Sequence, residues 1–266
     1  MNTNVTQEQI DAYQRDGYVI LPDFLSEVEV DEILAAVEES VAQMGKQKVA
    51  GGNKDLVEGE SYYDRVFLQR LNLWKLNDTI KKYFLGPKMG EMLCKLAGID
   101  GIRVWHDQTL QKQPWGNPTA WHLDNPYWSF HSKNALSIWI ALDEATVQNG
   151  CLYYLPGTHK TASYDNVDIR EDIASLFDVY PQWKKIEPAV AAMKRGWAGV
   201  HNGLTAHGAG PNMTPFPRRA MTCAYMPEGE HFNGQQNILP KDYFDTLKIG
   251  DELNSEEHNP LIWSSK

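Results

Sequence analysis

The chain has 266 residues, with 25 lysines and arginines against 35 aspartates and glutamates, and a formal net charge of -10 at pH 7. No local basic stripe offsets the overall repulsion, so general binding of nucleic acid or other polyanions is excluded. The length suffices for a full core, and the absence of a signal-peptide run or of 18 consecutive apolar residues leads us to expect one β-rich, soluble, cytoplasmic domain spanning 1–266, with no membrane partner.

Thr6 with Gln9 and Ser26 with Glu29 match the capping-box pattern, in which a hydroxyl and a side chain three residues on satisfy the first donors of a helix. Two N-terminal helices are therefore predicted. The first ends at Gly17, "YVIL" (18–21) reads as a short strand, and the second carries Val30, Ile33, Leu34, Val37 and Val41 at helical spacing. Glycine and charge break the pattern in "GKQKVAGGNKDLVEGES" (45–61), which predicts a mobile loop. A third helical region covers 76–97, interrupted at Gly86-Pro87.

From Ile102 the texture changes to short β-type runs set apart by turn residues: "IRVWHDQTLQ", "ALSIWIALD", "CLYYLP", "WAGVHN" and "RAMTCAYM". Residues 164–195 read as a mostly helical insertion with "YPQWKKIEP" as a loop, and the tail carries a short helix near 241–248. The expected organisation is a helical part at about 6–97, a β core at about 102–227 and a tail at 228–266. Cys94, Cys151 and Cys223 are odd in number and lack Cys-x-x-Cys spacing, so they read as reduced thiols rather than a disulfide framework or zinc knuckle.

The stretch "AWHLDNPYW" sets His122 and Asp124 two apart, and on a strand residues two apart share a face. With 8 histidines and 35 acidic residues, roughly one such pair arises by chance, so a third ligand is required. A facial triad of two histidines and one carboxylate holds non-haem iron(II) and leaves three coordination positions open. His131 and His258 lie in polar surroundings, and His159 follows a turn. His201 and His207 both lie in "VHNGLTAHGAGPN", and strand parity permits either. What distinguishes His207 is Arg218 eleven residues later, at the start of the next β-type run. A guanidinium takes a carboxylate bidentately, so iron with a nearby arginine makes a site for a dicarboxylate that chelates the metal at its other end. Arg219 is the rival, because only one of two adjacent strand residues faces inward.

In "RVWHDQTLQKQPWGNPTAWHLDNPYW", "LSIWIALDEATVQNGCLYYLPGTHK" and "GVHNGLTAHGAGPNMTPFPRRAM", the chain resembles the phytanoyl-CoA dioxygenase family of Fe(II)- and 2-oxoglutarate-dependent oxygenases, from about Gln9 to Pro227. The resemblance implies a mainly β fold with flanking helices, a double-stranded β-helix or cupin-like jelly roll. It implies iron ligation by His122, Asp124 and His207, and Arg218 on the distal carboxylate of 2-oxoglutarate. Gln108, Trp139 and Gln69 fall on positions that contact the cosubstrate in relatives. Two departures stand out: Ala209 replaces a frequent hydroxyl residue, and Gly196-Trp197 replaces a frequent Gly-Asp.

The implied reaction uses O2 to hydroxylate a C–H bond of a small organic molecule and releases succinate and CO2. Related halogenases replace the carboxylate ligand with a small residue, so Asp124 favours hydroxylation, while desaturation and ring closure use the same centre. Trp115, Trp121, Tyr127, Trp128 and Phe130 crowd the motif as pocket or core residues, and Lys112 and Arg103 are candidates for an anionic substrate. The alternatives are a catalytically silent jelly-roll binding or regulatory protein, and a metal-dependent cupin enzyme without 2-oxoglutarate.

Overall fold

The computed structural model describes residues 1–266. Helix α1 (Gln7–Asp16) opens with the reciprocal Thr6–Gln9 cap and ends at Gly17, whose φ of 82° turns the chain into β1 (Tyr18–Leu21). Helix α2 (Glu27–Met44) repeats the cap with Ser26 and Glu29 and buries Val30, Ile33 and Val37. The chain continues through α3 (Tyr62–Val66), β2 (Phe67–Leu71), α4 (Asp78–Phe84) and α5 (Pro87–Ala97), the last two parted at Gly86-Pro87. Then come β3 (Gly101–Lys112), β4 (Thr119–His122), β5 (Leu136–Ala141), β6 (Leu152–Tyr154), α6 (Leu176–Val179), β7 (Ala189–Ala191) and β8 (Ala198–Asn202). Strands β9 (His207–Ala209) and β10 (Arg218–Pro227), helix α7 (Lys241–Phe244) and β11 (Leu261–Ser264) complete it.

The strands form two antiparallel sheets. The larger runs β1-β8-β5-β10-β3-β11, with β2 also on β3, and the smaller runs β4-β9-β6-β7. Trp139 and Ala141 of β5 and Ala220 of β10 meet Leu152, Tyr154 and Ala209 of the smaller sheet, so the two inner faces pack together as in a jelly roll. The outer face of the larger sheet carries Ile138, Val200, Met221 and Cys223, which α2, α4 and α5 cover. This outer cluster explains why the helices lie on one side.

A β-bulge in β3 sets the inward ladder. Ala224 of β10 faces His106 while the next residue, Tyr225, faces Val104, leaving Trp105 as the extra residue. Val104 therefore packs with the outer cluster, whereas His106 and Gln108 border the cavities between the sheets.

Two expectations are corrected. Residues 164–195 are not mostly helical: they contain the four-residue α6, a 3-10 turn at Pro181–Lys185 and β7. Leu176, Tyr180 and Trp183 anchor this segment on Leu123, Leu155 and Leu204, so separate aromatic and aliphatic plugs replace a continuous helical stripe. The 45–61 segment is the expected loop, without helix or strand, but it is tied down by the Lys48–Asp64 and Arg70–Glu58 ion pairs and by a bridge between Val49 and Leu71. No helix is long and apolar enough to cross a membrane.

Candidate metal and cosubstrate centre

Strand β4 lies beside β9 with His122 directly opposite His207, and their ring centroids are 4.2 Å apart. The Nδ1 atoms bond to backbone carbonyls, His122 to Ala120 at 2.8 Å and His207 to Thr205 at 3.0 Å. With Nδ1–H donating, each Nε2 keeps its lone pair for an ion. Asp124 arrives by a different route from the one the sequence suggested. Strand β4 stops at His122, and Asp124 adopts a helical conformation at the head of the 3-10 turn Asn125–Tyr127. It is the turn, not strand alternation, that brings the carboxylate back.

Asp124 Oδ1 lies 3.7 Å from Nε2 of His122 and 3.7 Å from Nε2 of His207, so the three donors are grouped for one ion. Its other oxygen, Oδ2, is already engaged: the Ser137 hydroxyl donates to it at 2.9 Å and His201 Nε2 contacts it at 3.2 Å. Tyr154 Oη meets His201 Nδ1 at 3.1 Å from the far side. His201, left open by strand parity, thus stands behind the carboxylate. Sequence reading missed Ser137 altogether, and its position in β5, facing the same space as Trp139, was the available signal.

Burial pushes His122 and His207 down to about 4, with His207 adding to the effect on His122 and His201 adding to that on His207. Both imidazoles are therefore neutral and ready to coordinate at pH 7. Burial alone would raise the Asp124 carboxyl, but His207, His201 and His122 outweigh it and hold it below the usual carboxylate range. Two neutral nitrogens and one anionic oxygen form a donor set suited to a ferrous ion.

From this cluster a narrow cavity of about 50 Å³ leads past Gln108 and Trp139 to Arg218. Arg218 is only 1% exposed, and its Nε and Nη1 have no hydrogen-bond partner. Its guanidinium rests over Trp139, 5.0 Å from the ring centroid, and burial lowers it to about 10, so it stays cationic at pH 7. A buried cation without a counter-ion is costly unless an anion arrives. Arg219 faces the other way, bonded to Asp143 at 2.8 Å and Glu38 at 2.9 Å. Gln69 reaches the centre through Gln108, donating to its Oε1 at 2.6 Å.

At the Ala209 departure, the facing residue on β4 is Thr119, which also borders this cavity. Lys112 is fully buried behind it, within 3.3 Å of its hydroxyl and 2.8 Å from the Asn117 carbonyl. Arg103 pairs with Glu228 and Glu256 at the other end of β3. Neither cation lines either cavity beside the donor cluster, against the expectation that they meet an anionic substrate. Of the aromatic residues around the motif, Tyr127 and Trp128 line a second, larger cavity beside the cluster, Phe130 is core, Trp121 packs on Phe177, and Trp115 is 64% exposed. His131 stacks on Tyr164 and His258 on Tyr243.

A family model described as phytanoyl-CoA dioxygenase (PhyH) matches residues 13–220. The chain is 29% identical over 245 residues to dioxygenase lolE1 of Epichloe uncinata, covering 90% of this chain and 88% of that protein. It is 28% identical over 229 residues to the methylphosphonate hydroxylase of Gimesia maris, covering 85% and 82%. Among solved structures it is similar to the non-heme alpha-ketoglutarate-dependent carbocyclase SnoK from nogalamycin biosynthesis, with a TM-score of 0.77, 27% identity and 97% of each chain covered. With the donor cluster and the unpaired arginine all inside the matched region, the chain belongs to the phytanoyl-CoA dioxygenase family.

Proposed function

We propose that the chain hydroxylates a C–H bond of a small organic molecule as an iron(II)- and 2-oxoglutarate-dependent oxygenase, with His122, Asp124 and His207 holding the metal and Arg218 holding the distal carboxylate of the cosubstrate. The observation that carries this reading is the buried, unpartnered guanidinium at one end of a cavity whose other end gathers three metal donors. When bound, ferrous iron with 2-oxoglutarate as co-reductant supplies O2 activation, with succinate and CO2 as the co-products. Trp139 backs Arg218, Gln69 orients Gln108, and His201 and Ser137 fix which Asp124 oxygen faces the ion.

A catalytically silent jelly-roll protein would have no need for this donor set, and a metal-dependent cupin without a keto acid leaves Arg218 without an anion. Asp124 occupies the position that halogenation would need for chloride. Because a carbocyclase is among the similar structures, ring closure at the same centre is the second reading. We also propose a single domain over 1–266, because the N-terminal helices share one apolar cluster with the large sheet. A cytoplasmic location is favoured by three buried, unpaired cysteines.

The direct test is anaerobic addition of iron(II) and then 2-oxoglutarate to the folded protein. A visible metal-to-ligand charge-transfer band is expected. Metal-loaded, folded protein that gives no band sinks the cosubstrate assignment.

A further inference from the structure

Beside the donor cluster lies a cavity of about 330 Å³ that shares Tyr63, Gln108, His122 and Asp124 with the narrower one. Its apolar wall is formed by Leu56, Leu71, Tyr127, Trp128, Ile169 and Ile238, with polar side chains making up the rest of the lining. We propose that it receives an uncharged organic molecule presenting a hydroxyl or carbonyl to the imidazole of His106. This rests on the iron and 2-oxoglutarate reading of the adjoining centre.

Three observations support the assignment. First, His106 lies two residues from Gln108 on β3 and shares its inward face, so an imidazole lines the cavity beside its aliphatic and aromatic residues. Second, His106 is only 5% exposed; its Nδ1 is sealed off without a partner, which leaves Nε2, itself without a hydrogen bond, as the ring atom open to the cavity. Buried polar atoms ordinarily find partners, and an arriving polar group is one the protein does not supply itself. Burial holds His106 at about 4, so the ring meets its ligand neutral. Third, the cavity has no unneutralised cation. Its one lysine, Lys48, pairs with Asp64, while Asp168 is solvated and paired with Arg170 at 2.6 Å. A substrate anion such as a phosphonate would be desolvated there without compensation. A neutral molecule avoids that penalty, and its apolar part meets the aliphatic and aromatic walls.

The test uses the anaerobic protein loaded with iron(II) and 2-oxoglutarate, titrated calorimetrically with two matched series: benzene, phenol and benzoate, and naphthalene, 2-naphthol and 2-naphthoate. In at least one series the alcohol is expected to bind about tenfold or more tightly than both the hydrocarbon and the carboxylate. His106→Leu should abolish the preference for alcohol over hydrocarbon, and His106→Gln, which keeps a hydrogen-bonding group, should retain part of it. The charge-transfer band shows that each variant is folded and holds its cosubstrate. Tighter binding of either carboxylate, an unchanged preference in the leucine variant, or no binding in either series overturns the proposal. Absence of the band in the parent protein instead overturns the function reading.

Discussion

Arg218 and Arg219 are neighbours in sequence with opposite surroundings, and a pair of substitutions separates their roles. Arg218→Ala removes a buried cation that faces no internal carboxylate, so 2-oxoglutarate affinity should fall by about 100-fold or more while iron affinity changes little. Arg219→Ala loses partly exposed pairs with Asp143 and Glu38, and should cost about 0–1 kcal/mol of stability and leave the cosubstrate titration unchanged. The charge-transfer band read against 2-oxoglutarate concentration checks both. Behind the metal donors, His201→Leu removes the contact to Asp124 Oδ2 and frees the carboxylate to rotate. Iron affinity should drop about 10- to 100-fold, measured by competition with a chromophoric chelator. An unchanged affinity would mean that Ser137 alone suffices to orient Asp124.

The elements that place these residues depend on a few local devices. At Gly17 the chain turns from α1 into β1 with φ 82°, and an added Cβ would lie 2.3 Å from Thr205 Oγ1 and 2.4 Å from His159 Nδ1. The Gly17 carbonyl also accepts from Asn202 N–H and the Thr205 hydroxyl, and the Thr205 carbonyl holds His207 Nδ1. Gly17→Ala should therefore lower stability by more than about 1 kcal/mol and also weaken iron binding, seen in denaturant unfolding and the same chelator competition. Both capping boxes, the Gly17 stop and the break at Gly86-Pro87 were legible because they are contacts within a few residues. The helical reading of 164–195 failed because Leu176 and its neighbours Tyr164, Val167 and Phe177 pack against residues far away in sequence, such as Leu123 and Leu204. The bulge at Trp105 was invisible for a related reason, since it exists only in the register between β3 and β10.

Across the whole molecule, the charge buried between the sheets links folding to pH. Lys112 sits opposite Arg218 in register, and burial, with Arg218 adding, lowers its ordinary value of 10.5 to about 6. Between those values the unfolded chain binds a proton that the folded protein does not, so stability should rise with pH through that window and level off below about 6, where both states are protonated. Lys112→Met should flatten this dependence between pH 6 and 9 by up to about 1.4 kcal/mol per pH unit, as measured by denaturant unfolding at several pH values. A parallel dependence in the variant would show that Lys112 stays charged in the folded state.

The sequence by itself determined the N-terminal helices and their caps, the main β-type runs and the motif spacing that carried the resemblance, because local hydrogen bonding and side-chain periodicity are written in neighbouring residues. Tertiary structure decided which arginine turns inward, that His201 backs Asp124 rather than joining the donor cluster, and that Lys112 and Arg103 are spent on internal contacts. Those outcomes depend on register between strands distant in the chain and on where water is excluded. Neither quantity exists until the two sheets have closed on each other.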